Sequence, residues 1–390
     1  MKDQIVATSF GRARLVSLEQ VRELPIWRRN FGDAAKDHRY YELVAETLSR
    51  DFEFRWILLE DHTGGTRGVQ PIFFMHQDLL ATAPASIRAI VRSFRAMWPR
   101  CLRLRMLMVG CAAGAGELGE PDESEQRWKV AAVTEALPHF ARSAGASLIV
   151  WKDFPAHHRP ALDSETSVAG FARIASMPAT RLKLTFASFD DYLQRHLSHA
   201  MRKNLRRKFK ATRNAPLTFE VTTSLAGVVD EAYPLYEQVL ARSPLQFERL
   251  TKEFLVRLGD RLPERARFFL WRLDNRLVAF SVCLMHGGAL YDEYLGLDYA
   301  VALDLHLYFV TLRDVLTWAI ESGLHTYFST PLNYDPKLHL GFELVPLDLY
   351  ATSTTRTLRP ITRLALRWLE PTRAEPGLRE FPNAHELTSL

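Results

Sequence analysis

Residues 267–329 read RFFLWRLDNRLVAFSVCLMHGGALYDEYLGLDYAVALDLHLYFVTLRDVLTWAIESGLHTYFS. Three runs in this stretch, 267–273, 277–286 and 289–297, are strand-length and rich in aromatic and β-branched residues. Asp274-Asn275-Arg276 makes a tight turn between the first two. The run 303–322 then has helical periodicity and ends at Gly323, a common left-handed stop. A further strand, 325–329, follows. A meander, a helix and a returning strand make an α+β pattern, not strict βαβ alternation.

Working outward, the same grammar stands in the N-terminal half. Strands at 55–60 and 68–74 flank the turn-rich DHTGGTR, and 103–109 is another strand candidate. A Gly/Ala-rich stretch, 110–119, leads to a helix over 122–144 and a buried strand over 146–154. Further strands are expected at 12–16, 179–186, 217–223 and 344–352. Helices are expected at 17–30, 39–50, 226–242 and 246–260. The fold class is therefore α+β: two tandem units, each a mixed, mostly antiparallel sheet flanked by helices. The expected division is an N-terminal unit over 1–187, a basic connecting helix over 188–214, a C-terminal unit over 215–356, and an amphipathic helix and tail over 357–390.

The connecting segment carries the strongest charge signal. Residues 195–213, RHLSHAMRKNLRRKFKATR, hold eight Lys/Arg, two His and no acid. Leu193, Leu197, Met201, Leu205 and Phe209 recur every four positions, so one stripe packs while the other faces offer fixed positive charge. Ser188 caps a helix from 189 that runs into this segment. Positive charge without neighbouring acids suits a phosphate-bearing partner such as a coenzyme A, a nucleotide sugar, a tRNA or an anionic membrane. A plain solvated helix face is the competing reading.

The chain has 390 residues with 47% hydrophobic and 24% charged residues, ordinary values for a globular protein, and a net charge of +5. Cys101, Cys111 and Cys283 show no CxxC spacing and read as reduced thiols of a cytoplasmic protein. The sequence opens without an apolar signal segment and holds no run long enough to span a bilayer, so no integral membrane insertion is expected. His157-His158 and the other histidines lack metal-site spacing, and no metal is expected. The 110–119 stretch reads as a flexible loop shaping an acceptor pocket rather than a nucleotide loop. The basic amphipathic run 357–371 reads as a helix packed on the second unit, with peripheral membrane contact as the alternative.

Three stretches resemble the FemAB-like group of the GNAT acyltransferase superfamily. Arg202-Lys203-Asn204-Leu205-Arg206 is similar to its R-x-N-I/L-R segment. The strand and helix from Leu290 to Gly323 are similar to its Y-x-G-x-D … L-Y … I-x-x-A-I-x-x-G stretch. Tyr334 to Phe342 resembles its Y-x-x-K-x-x-x-G element. The resemblance spans roughly 190–350 and implies two fused GNAT-like folds that transfer an acyl or aminoacyl group to an amine. There are departures: Phe328-Ser329-Thr330 stands where relatives carry a Gly, and the Q/R-x-x-G-x-G/A pyrophosphate loop is missing.

The implied chemistry assigns roles. An attacking amine must lose a proton, the donor carbonyl must be polarised and the leaving group must be reprotonated. Strand alternation places Asp292 and Tyr294 on one face and Glu293 on the other. Either carboxylate could take the amine proton, and Tyr294 could donate to the leaving group. Lys337 could hold a phosphate or steady an oxyanion. Tyr334 and Ser329 would line the substrate pocket. Arg202, Lys203, Arg206 and Arg207 would contact phosphates, and Asp304 would complement the helix that starts near 303. The expected donor is acyl-CoA, with aminoacyl-tRNA as alternative, and the acceptor a small-molecule or peptide amine. A non-catalytic nucleic-acid- or membrane-surface-binding protein is the reading from another class.

Overall fold

The structure, a computed structural model, describes residues 4–78, 103–120, 122–243 and 246–387. The first half comprises β1 (Ile5–Thr8), β2 (Gly11–Val16), α1 (Leu18–Arg22), α2 (Pro25–Phe31), α3 (His38–Thr47), β3 (Glu53–Glu60), β4 (Thr66–Asp78), β5 (Arg103–Val109), α4 (Glu123–Ser143), β6 (Leu148–Pro155), α5 (Arg159–Val168), β7 (Ala172–Ala175) and β8 (Ala179–Lys183). Then come α6 (Phe189–His196), α7 (His199–Thr212), β9 (Leu217–Thr222), α8 (Val229–Arg242), α9 (Lys252–Arg261), β10 (Ala266–Leu273), β11 (Arg276–His286), β12 (Ala289–Leu297), α10 (Leu307–Glu321) and β13 (Thr326–Ser329). The chain closes with α11 (Tyr334–His339), β14 (Glu343–Val345), β15 (Leu347–Ser353) and α12 (Arg359–Trp368).

Two mixed sheets result. The first has the order β1-β2-β3-β4-β5-β6-β15-β7, the second β14-β8-β13-β12-β11-β10-β9. Each contains one parallel pair, β5–β6 and β12–β13, joined by a helix, α4 and α10 respectively. Beside each parallel pair lies an antiparallel strand contributed from the other half of the chain: β15 next to β6, and β8 next to β13. The α+β class and the duplication thus hold, and the halves exchange a strand. Strand β8, expected with the first unit, hydrogen-bonds in the second sheet. The expected single strand at 344–352 is two strands. Pro346, which has no N–H to donate, separates β14 in the second sheet from β15 in the first.

The halves share one core. Leu225, Tyr236, Phe254 and Phe280 of the second half are buried in the same cluster as Trp27, Tyr40, Phe52 and Phe73 of the first. Phe52 stacks on Phe247 and Tyr40 meets Phe254 edge-on, with ring centroids 5.8 Å apart in each pair. Helix α9 lies against α3, where Arg22, Arg257 and Arg261 all pair with Glu46.

Local chemistry explains the elements. Asp274 and Asn275 both have positive φ, as the hairpin turn between β10 and β11 requires. The helix expected from 189 breaks at Leu197-Ser198. Ser198 accepts from the Met201 amide at 3.2 Å and starts α7 anew. The apolar stripe still packs, with Leu193, Leu197 and Leu205 buried against the second core. The tail helix α12 lies on β15 and β7 of the first sheet, not on the second unit.

Candidate active site

The site begins where β12 and β13 part. The two strands pair from Ala289–Thr326 to Asp292–Ser329; β13 then ends while β12 continues to Leu297. Beyond Asp292 the edge of β12 is open, which makes a notch at the end of a parallel pair. On its other edge, β12 carries a bulge: Tyr294 pairs with Val282 and Asp292 with Cys283, leaving Glu293 unmatched. The extra residue resets the alternation. Asp292 therefore points to the second core and Tyr294 to the core shared by the halves, so they do not lie on one face as simple alternation suggests.

Asp292 accepts hydrogen bonds from the hydroxyls of Ser281 and Tyr327, the latter at 2.5 Å. Burial pushes its carboxyl above the usual aspartate value; the two hydroxyls and the charge of Lys337 act against that shift. Lys337 is buried in α11. Its ammonium donates to the carbonyls of Thr330 at 2.5 Å and Leu332 at 2.9 Å, just past the end of β13. Leu332 and Asn333 both adopt positive φ, a costly conformation for non-glycine residues that clusters at functional loops. Burial pushes the lysine down to about 7, against the pull of Asp292. Tyr308, in the first turn of α10, completes the group; burial and then the Asp292 charge raise its pKa, and Asn333 bonds to it. Cys283 lies 3.6 Å from Asp292, but burial and that carboxylate keep its thiol protonated.

Glu293 and Tyr294 face the first half. Glu293 pairs with Lys36 at 2.7 Å. The Tyr294 hydroxyl donates to Glu248 at 3.1 Å, and burial raises its pKa well above the ordinary value. Tyr291 and Phe328, partners across β12 and β13, stack with centroids 4.7 Å apart. Ser329 sits at the parting itself. Tyr334 is buried, and its hydroxyl is spent on the Pro178 carbonyl at 2.7 Å.

The basic helix reaches the same region from the other side. Lys208 lies 4.4 Å above the Phe309 ring, and Arg313 of α10 lies 5.0 Å from Phe209. Burial, Lys208 and Arg207 together lower the pKa of His306, the residue that precedes α10. His306 has positive φ and no side chain caps the helix, so Asp304 is not its cap. Arg202 is turned back to the carbonyls of Gln194 and Leu197. Among the described residues, Lys203, Arg206, Arg207 and Lys210 form no ion pair with an acid, and all four are exposed. Of the α7 cations, Arg207 and Lys208 thus approach the start of α10, whose Tyr308 senses Asp292.

The equivalent notch in the first half is filled. Residues 110–116 are largely buried, and the Gly116 amide donates to the Asp153 carbonyl at 2.9 Å. A Cβ on Gly116 would strike the Phe154 ring and lie 2.7 Å from the Lys152 carbonyl oxygen. Lys152 donates to the Gly114 carbonyl and to Asp153. This glycine stretch is a packed plug, not a flexible loop. Its continuation brings Glu117 to His157 and His158, with ligand atoms within 4.8 Å of one another. These three residues could hold a metal ion, a juxtaposition that sequence spacing did not show. Glu117 pairs with His158 at 2.9 Å.

Sequence reasoning missed Tyr327, Tyr308, Ser281 and Lys36. Ser281 alone left a signal, as a hydroxyl in the otherwise apolar run LVAFSVCLM.

Residues 199–335 match the acetyltransferase (GNAT) domain family. Two solved structures share the fold over nearly the whole chain. FemX has a TM-score of 0.51 at 12% identity, with 86% of this chain and 96% of that one covered. L-PGS from Bacillus licheniformis has a TM-score of 0.50 at 12% identity, with coverages of 92% and 97%. No curated protein sequence matches the chain. The domain match spans α7, β12, α10 and β13, which are the elements that build the notch.

Proposed function

We propose that the second half of the chain, which matches the acetyltransferase (GNAT) domain family over residues 199–335 within a fold shared with FemX, moves an acyl group from an acyl-CoA to the nitrogen of an amine acceptor. The observation that carries this reading is the parting of β12 from β13 at Asp292, with Lys337 held behind it. A CoA thioester would supply an already activated carbonyl, so positioning and proton handling are the protein's share.

The residues divide that work. Neutral Lys337 keeps two N–H bonds to Thr330 and Leu332 and has a lone pair left for a proton. Asp292, held by Tyr327 and Ser281, supplies the negative charge that favours protonation of that lysine. The proton of the attacking amine thus has a destination near neutral pH. Arg206, Arg207 and Lys203 would hold donor phosphates beside the start of α10.

One observation favours a second donor. Four exposed, unpaired cations on α7 are also suited to a larger polyanion, an aminoacyl-tRNA. Salt separates the two: binding to tRNA should weaken steeply as salt rises, and binding to CoA only mildly.

The test is release of free CoA thiol when the protein is mixed with acetyl-CoA and longer acyl-CoA against a panel of primary amines. Amine-dependent thiol release that disappears in Asp292→Asn supports the reading. Release that is independent of amine, or unchanged in the variant, contradicts it.

A further inference from the structure

Helix α12 presents an apolar face to solvent. Ile361, Leu364 and Trp368 are 66%, 60% and 75% exposed. Their i, i+3, i+7 spacing puts them on one side of the helix. Leu358 and Leu369, at its two ends, are also exposed. These five are more than half of the large apolar side chains exposed among the described residues. The helix is nevertheless firmly seated. Arg359 donates to the Ala169 carbonyl at 3.0 Å, and Leu366 packs on the first core. The fold has already taken the face it needs and leaves the other one out.

The charges around that face select its partner. Within α12 every charged residue is an arginine, Arg359, Arg363 and Arg367; Arg356 and Arg373 flank it, with Glu370 the one acid just past its end. Among the described residues, Arg356, Arg363 and Arg367 form no ion pair with an acid. Two copies meeting through this face would bring like charges together. An anionic surface would neutralise them. Leu, Ile and Trp over arginines whose long stems reach sideways is the composition of a helix lying in a lipid interface.

We propose that α12 seats the protein on an anionic lipid bilayer, with Ile361, Leu364 and Trp368 in the acyl–headgroup boundary and Arg363 and Arg367 on lipid phosphates. No helix of the described residues is long and apolar enough to cross a membrane, so the contact is peripheral.

The experiment is co-sedimentation of the full chain with vesicles of phosphatidylcholine alone and with phosphatidylglycerol added. Binding only to the anionic vesicles is expected. Ile361→Ser/Leu364→Ser/Trp368→Ser should lower the partition coefficient more than about tenfold with an unchanged circular dichroism spectrum. Arg363→Glu/Arg367→Glu should remove the anionic preference. Arg206→Glu/Arg207→Glu, on the other basic helix, should leave binding in place. No vesicle binding overturns the proposal. So does binding that survives the triple substitution, or that is lost only with the α7 charges. A dimer in sedimentation velocity that the triple variant dissociates would make a second copy the occupant and also overturn it.

Discussion

The Tyr327 hydroxyl donates to the Asp292 carboxylate at 2.5 Å diagonally across β12 and β13, two residues before the last register pair, Asp292–Ser329. Asp292 is thereby fixed at the point where the strands separate. Asp292→Asn keeps the shape and removes the charge. Its kcat should fall by about 10²–10⁴ with little change in the melting temperature. Tyr327→Phe removes only a positioning hydroxyl and should cost less. A steady-state assay on both variants checks the order of the two effects.

Lys337 gives the enzyme a pH signature. Its ordinary pKa is 10.5, and burial lowers it to about 7 in the fold. Between these values the unfolded chain binds a proton that the folded chain does not. Stability should therefore rise with pH through this window, by up to ~1.4 kcal/mol per unit. Asp292 works in the opposite sense: its raised pKa makes stability fall with rising pH just above 3.8. Urea unfolding at a series of pH values should show the first slope in the wild type and a flatter one in Lys337→Met. The rate profile should climb through about pH 7 as the lysine becomes neutral.

Lys36 and Glu293 join the halves with side chains 15% and 12% exposed. Lys36→Met leaves a mostly buried carboxylate unpaired and should destabilise the chain by about 3 kcal/mol. Adding Glu293→Gln should recover part of that loss. A double-mutant cycle in urea measures the coupling. If Glu293 serves only this junction, Glu293→Gln will leave the pH–rate profile in place.

Gly116 tests the filled notch of the first half. An added methyl meets Phe154 and the Lys152 carbonyl, so Gly116→Ala should cost about 1–3 kcal/mol. A loosely held loop would tolerate it without cost. The melting temperature decides between them.

Much of this architecture was legible in the residues. The three runs from 267 to 297, the Asp274-Asn275 turn and the stop at Gly323 gave the meander, the helix and the return strand, because local propensity and burial agree there. The strand exchange was not legible. A strand's period tells which face is buried, not which sheet it joins, and only the interruption at Pro346 marks the crossing. The site was half legible. Asp292 was legible as one of the ionisable residues of the 289–299 run, and Lys337 through the resemblance of 334–342 to the Y-x-x-K-x-x-x-G element. The bulge at Glu293 left no mark in the sequence, and it alone decides that Tyr294 faces away from Asp292. Tyr327 and Tyr308 read as ordinary core aromatics until the fold brings them to the carboxylate. The glycines of 110–119 suggested mobility, whereas close packing explains Gly116.

The most direct measurement is native mass spectrometry of the wild type and of Arg206→Glu/Arg207→Glu, each offered a CoA thioester and charged tRNA. The account predicts one CoA thioester retained per wild-type chain and none on the variant, with the collision cross-section unchanged. Retention of CoA by the variant, or a wild type that ignores CoA and keeps tRNA, would contradict it.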